Sequence, residues 1–122
     1  MMDLWIAAIA MISIDYLYLN IIKDYFQWQI RTIQGSPMKI NIWGAVVCYI
    51  LLVVGIYYFI LREKRSYLDA FILGLVIYGV FETTNYALFN NWALSTVFID
   101  TIWGGILFAL TTYVVYKVRS IV

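Results

Sequence analysis

Four long uninterrupted apolar runs constrain this chain more than any other feature of its sequence. They cover about residues 4–22, 42–61, 67–89 and 94–118. A helix needs about 20 apolar residues to cross the roughly 30 Å hydrocarbon core of a bilayer. The runs are continuous and do not alternate, so they predict helices and exclude the strands of a membrane barrel. We therefore expect four transmembrane helices.

The composition supports a membrane location. Of the 122 residues, 65% are hydrophobic and 12% are charged, against roughly 45–50% and about 25% in soluble domains. A chain this short could not bury so much apolar surface in water. The length allows one domain, an all-α integral membrane four-helix bundle spanning residues 1–122. The formal net charge of +1 gives no reason to expect a nucleic-acid partner, and the lack of histidine argues against an enzyme.

The connections between the spans differ in character. The only long connection runs from Lys23 to Asn41. It mixes aromatic, apolar and charged side chains, which is typical of a short interfacial helix, although an extended loop is the alternative. Gly35-Ser36-Pro37 breaks it before the second span. The other two connections are short turns, at residues 62–66 and 90–92. Four tryptophans are predicted to anchor the spans at the interfaces: Trp5, Trp28, Trp43 and Trp92.

Lysine and arginine placement predicts the orientation. The side that holds both termini and the 62–66 turn carries five of these residues, and the opposite side carries three. The positive-inside rule therefore places both termini in the cytoplasm.

Three acidic residues lie well inside the predicted spans. Asp15, Glu82 and Asp100 each fall six or seven residues from the non-cytoplasmic end of a span, which is a depth of about 9–11 Å at 1.5 Å per residue. An acid at this depth costs about 2.5–3.5 kcal/mol on insertion scales, so such residues are functional candidates. We expect all three to share one layer of the bundle.

Helical spacing places other polar and aromatic side chains on the same faces as these acids. The candidate binding residues for an ion, a proton or a substrate are Asp15, Tyr18, Tyr78, Glu82, Thr83, Asn85, Tyr86, Asp100 and Trp103. No lysine or arginine is predicted in this layer, so the three acids cannot all stay ionised at close range. The layer would then hold protons, a metal or other inorganic cation, or an organic cation. The alternative is that neutral acids, capped by neighbouring hydroxyls and amides, only tie the helices together.

Three motifs give the chain a resemblance to a known family. They are Asp15-Tyr-Leu-Tyr18-Leu in the first span, Phe81-Glu82-Thr83-Thr-Asn85 in the third and Asp100-Thr-Ile-Trp103-Gly104 in the fourth. Together they resemble the DUF2177 family of predicted four-helix membrane proteins, over nearly the whole chain. The chain departs from that family's pattern at four positions. Residue 18 is tyrosine where the family favours tryptophan, and residue 81 is phenylalanine where the family has tyrosine. Residue 82 is glutamate where the family has aspartate, and residue 83 is threonine where the family has leucine. The resemblance implies a fold and a set of site residues, and no activity comes with it.

Three functions fit these features. The first is a proton- or cation-coupled transporter or channel, in which the acids exchange protons against substrate; with only four helices, a homo-oligomer is expected. The second is an intramembrane enzyme acting on a lipid-like substrate, with the carboxylates and Asn85 binding a metal or transferring protons. The third is an accessory subunit that stabilises a membrane partner.

Overall fold

Four helices make up this protein in the computed structural model, which describes residues 2–122. Helix α1 is Met2–Gln34, α2 is Ile42–Ile56, α3 is Tyr67–Leu88 and α4 is Leu94–Ile121, and α2 continues as a π-helical stretch, Tyr57–Leu61. No strand occurs in the described residues. All four are long and apolar enough to cross a membrane, α2 together with its π-helical stretch. The predicted all-α, four-span architecture is therefore confirmed, and the protein is an integral, multi-pass membrane protein.

Local sequence signals set the helix boundaries. The Asn41 side chain accepts a hydrogen bond from the Gly44 backbone N–H at 3.0 Å and so caps the start of α2. Ser66 caps α3 in the same way, accepting from the Asp69 N–H at 3.1 Å. Gly35, with φ of +72°, stops α1, because a left-handed residue cannot continue a right-handed helix.

The helix predicted between the first two spans is present, but it is the C-terminal part of α1. Residues 2–34 contain neither glycine nor proline, so nothing in the sequence interrupts the helix before Gly35. At 33 residues, α1 is about 50 Å long and exceeds the roughly 30 Å hydrocarbon core. Its last turns therefore extend toward the α3–α4 turn.

Helices α3 and α4 form the closest packed pair, α1 packs on α4, and α2 packs mainly on α1. Glycines make the α3–α4 approach possible. A Cβ at Gly74 would lie 2.1 Å from the Gly104 carbonyl oxygen, and a Cβ at Gly105 would lie 2.7 Å from the Phe71 ring. Small residues of this kind let membrane helices bring their backbones together. This approach sets the spacing between the side chains that α3 and α4 present to the site.

Candidate functional site

A cavity of about 620 Å³ lies near the end of the bundle that holds the α1–α2 connection and the α3–α4 turn. Residues from all four helices line it. Its wall combines three carboxylates with seven aromatic rings: Asp15, Glu82 and Asp100, with Tyr16, Tyr18, Phe26, Tyr49, Tyr78, Phe81 and Trp92. The three acids that the sequence places at one depth thus line a single cavity.

Glu82, on α3, is the most buried of the three acids, with only 1% of its surface exposed. Its Oε1 accepts a hydrogen bond from the Trp92 Nε1 at 3.0 Å. Its Oε2 is buried and accepts no hydrogen bond from any donor in residues 2–122. Glu82 from α3 and Asp100 from α4 line the same cavity, and both are buried. Two ionised carboxylates in one buried cavity repel each other, and a proton or another cation beside them relieves that repulsion.

Asp100, on α4, has a less complete set of partners. The Tyr18 hydroxyl donates to its Oδ1 over a long distance of 3.4 Å, and 8% of the residue is exposed to the cavity. The ring of Tyr18 stacks on Trp103, with centroids 4.2 Å apart and planes only 4° from parallel. This stack fixes the hydroxyl beside Asp100.

Asp15, on α1, differs because both of its oxygens accept hydrogen bonds. The Trp103 Nε1 donates to Oδ1 at 2.9 Å, and the Tyr49 hydroxyl donates to Oδ2. These two bonds connect α1 to α4 and to α2. Within residues 2–122, the bond from Tyr49 is the one side-chain hydrogen bond between α2 and another helix. Asp15 therefore has a positioning role in addition to lining the cavity.

Three of the candidate residues on α3 lie outside the cavity wall. The Thr83 hydroxyl donates to the Gly79 carbonyl of its own helix at 2.6 Å. Tyr86 is half exposed on the outer surface. Asn85 is partly buried, and its side chain makes no hydrogen bond to another described residue. The cavity face of α3 instead consists of Tyr78, Phe81 and Glu82.

Trp92 was predicted to be an interface anchor, and the structure shows that this prediction is wrong. Only 8% of Trp92 is exposed, because the α3–α4 turn directs its ring inward to Glu82. That turn contains Asn91 in a left-handed conformation, with φ of 68°. A buried carboxylate near a tight turn could have suggested an indole donor, but the direction of the ring depends on the turn geometry.

A polar cluster outside the cavity, which we call the Gln29 anchor, was not predicted from the sequence. Gln29 is fully buried, and its Nε2 donates to the Asn91 carbonyl at 3.0 Å. Its Oε1 accepts from the Ala93 N–H at 2.9 Å and from the Thr96 hydroxyl at 2.7 Å. The Tyr25 hydroxyl also bonds that of Thr96, at 2.9 Å. Tyr25 and Gln29 lie one helical turn apart, a spacing that could have indicated a shared buried face.

The charges around the cavity are distributed unevenly. Lys23 lines it from α1, eight residues beyond Asp15 and so about 12 Å along the helix. No ion pair joins Lys23 to an acid in the described part of the chain. Within residues 2–122, no group of three or more acidic or thiol side chains is arranged to hold a metal ion. All three acids line this cavity, and among them Asp15 is the one whose two oxygens both accept hydrogen bonds from described residues.

Comparison with known proteins gives one result. The family model DUF2177, described as a predicted membrane protein, matches residues 1–117. No curated protein and no solved structure matches the chain.

Proposed function

The chain belongs to the DUF2177 family, and from the chemistry of its cavity we propose that it is a small carrier that exchanges protons for an organic cation. The observation that carries this proposal is the buried pair formed by Glu82 and Asp100. One Glu82 oxygen in that pair has no donor among the described residues. A proton or a positively charged group can occupy the same place.

The pair supports exchange for an electrostatic reason. Two unit charges 4 Å apart repel each other by about 4 kcal/mol at an effective dielectric constant of 20. The pair therefore holds a proton when the cavity is empty, and both groups ionise only when a cation lies between or beside them. Binding of the cation then releases the proton, so the two ligands compete for one site.

The rest of the cavity wall favours an organic cation. Aromatic faces attract ammonium groups, and rings from several directions are the usual way to bind quaternary ammonium ions. The seven rings supply such faces. The volume of about 620 Å³ falls within the roughly 300–1,000 Å³ of small-molecule sites.

The orientation and assembly of the carrier are parts of the same proposal. With both termini in the cytoplasm, the cavity opens toward the non-cytoplasmic side. A single copy has only four helices to provide access from the opposite side, so we propose that the carrier works as a homo-oligomer.

Proton exchange in liposomes tests the proposal. Purified protein is reconstituted with a pH-sensitive dye in the lumen, and tetramethylammonium is added outside. Entry of the cation should drive protons out and make the lumen more alkaline, and Glu82→Gln should abolish this change. Glu63→Gln is the matched control, because Glu63 lies in the charged 62–66 turn with its side chain 56% exposed. Equal rates for Glu82→Gln and the unaltered protein, or for protein-containing and empty liposomes, would refute the proposal.

A further inference from the structure

A second hollow lies between α1 and α2 and is almost entirely apolar. This groove has a volume of about 420 Å³. Its walls include Trp5, Ala8 and Ile12 from α1, and Val46, Ile50 and Val54 from α2. Several of these side chains are on the lipid-facing surface, with Trp5 66% exposed and Ile50 55% exposed. The groove therefore faces the acyl-chain region of the bilayer.

The groove and the carboxylate cavity are adjacent. Ala45 and Tyr49 line both of them. Tyr49 presents its hydroxyl to Asp15 on the cavity side, while its ring forms part of the groove wall. Ala45 carries only a methyl group, so little side-chain volume separates the two hollows at that level. An elongated molecule could occupy both at once.

We propose that the transported cation is an amphiphile, whose aliphatic chain lies in the groove while its charged head binds at Glu82 and Asp100. The proposal rests on the proposed function and specifies the substrate class of the same site. Charge complementarity assigns the head to the cavity, since both acids lie there and the groove is apolar. The groove runs along α2 from Ile42 to Val54, about 18 Å at 1.5 Å per residue, which suits one extended chain.

Helix α2 supplies the route by which the amphiphile enters from the lipid. It packs mainly on α1, and its side-chain hydrogen bond to the rest of the described chain is the one from Tyr49 to Asp15. An amphiphile dissolved in the bilayer already has its head near the membrane surface and its chain along the helices. Entry between α1 and α2 keeps the chain in an apolar environment throughout.

Two neighbouring valines on α2 allow a matched test. Val46 lines the groove, whereas Val47 is outside its wall and 53% exposed. The protein is placed in phosphatidylcholine nanodiscs, and binding of radiolabelled dodecyltrimethylammonium and tetramethylammonium is measured above the level in empty nanodiscs. Comparing variants in one lipid cancels the partitioning of the long-chain probe into the bilayer, because that partitioning is the same for every variant.

A bulky side chain in the groove should displace the aliphatic chain and leave the head site intact. Misfit in a hydrophobic pocket is worth about 10- to 200-fold in binding. We therefore expect Val46→Trp to weaken dodecyltrimethylammonium binding by about tenfold or more, and Val47→Trp to change it by less than about twofold. Tetramethylammonium should bind equally to both variants. Ile12→Trp narrows the groove from the α1 side and should reproduce Val46→Trp if that variant folds poorly.

The possible results separate this inference from the proposed function. Tetramethylammonium binding together with unchanged dodecyltrimethylammonium binding in both Val46→Trp and Ile12→Trp would show that the groove does not hold the aliphatic chain. In that case only this inference fails. If Val47→Trp weakens binding as much as Val46→Trp, the inference also fails. If neither cation binds, both proposals fail.

Discussion

Replacing Gly74 by alanine should push α3 and α4 apart. The added Cβ would lie 2.1 Å from the Gly104 carbonyl oxygen and 2.8 Å from the Phe108 ring. The nearest Phe108 atom is Cγ, which rotation of the ring about the Cβ–Cγ bond does not move, and the carbonyl belongs to the backbone of α4. Relief therefore requires the two helices to separate by about 1 Å along the contact. The same substitution at Gly79 is a matched control on α3, because its Cβ would meet Thr101 at an ordinary 3.4 Å.

The contact geometry sets the size of the effect. Overpacking in a close-packed interior costs about 1–3 kcal/mol. Since a backbone atom blocks the new Cβ, we expect Gly74→Ala to lower the free energy of unfolding by about 3 kcal/mol. This corresponds to a change of more than about a hundredfold in the folding equilibrium constant. Gly79→Ala should cost less than about 0.5 kcal/mol, because it creates no clash and alanine is the better helix former. The separation should also loosen the Glu82–Asp100 pair, two turns along α3 from Gly74.

Both consequences can be measured on the same preparations. Unfolding in bicelles by titration with sodium dodecyl sulfate, followed by tryptophan fluorescence, gives the stability difference. The liposome assay gives the proton exchange rate. Gly74→Ala should lose stability and exchange together, while Gly79→Ala retains both. Equal stability of the two variants would refute the close approach of α3 and α4, and normal exchange in a destabilised Gly74→Ala would refute its link to the site.

Three further predictions concern other parts of the chain. Asp15→Asn should lower the free energy of unfolding by about 1 kcal/mol in the same titration, since an amide can accept only one of the two hydrogen bonds. It should slow proton exchange less than Glu82→Gln does. A larger loss of exchange in Asp15→Asn than in Glu82→Gln would contradict the positioning role of Asp15. Gln29→Leu should lower stability by about 2–3 kcal/mol, because it leaves buried partners unpaired; an unchanged titration would rule out the Gln29 anchor. The orientation can be tested in a variant that lacks the native cysteine. Ser36→Cys should react with an impermeant maleimide added outside intact cells, and Ser66→Cys should not. The opposite result would reverse the proposed orientation.

The sequence was sufficient to predict the features that depend only on position along a helix. The number of spans follows from hydropathy, and α2, α3 and α4 begin at residues 42, 67 and 94, where the last three apolar runs begin. The end of the first run at 22 does not mark the end of α1, which continues to Gln34. The sequence also placed Asp15, Glu82 and Asp100 near the same end of the bundle, because every helix rises by the same distance per residue, and the three line one cavity.

The features that depend on how each helix is rotated about its axis and tilted against its neighbours could not be predicted from the sequence. Asn85 lies three residues from Glu82 and was expected at the site, but the cavity wall ends at Glu82 on α3. The pairing of Glu82 with Asp100 depends on how closely the glycines allow α3 and α4 to approach. The partners of Asp15 depend on the position of α2, which hydropathy does not specify.

The length of α1 makes it a mechanical connection between the membrane interior and the surface. Asp15 and Gln29 are 14 residues apart on one stiff helix, about 21 Å. Tilting α1 to widen the cavity therefore also displaces Gln29, and the three hydrogen bonds of its side chain must break. Resistance to such a tilt therefore lies partly at the α3–α4 turn, where the Gln29 side chain is fully buried and its hydrogen bonds are shielded from water. A molecule that binds this turn and holds Gln29 in place is expected to restrict the tilt of α1 from a point about 21 Å away from Asp15.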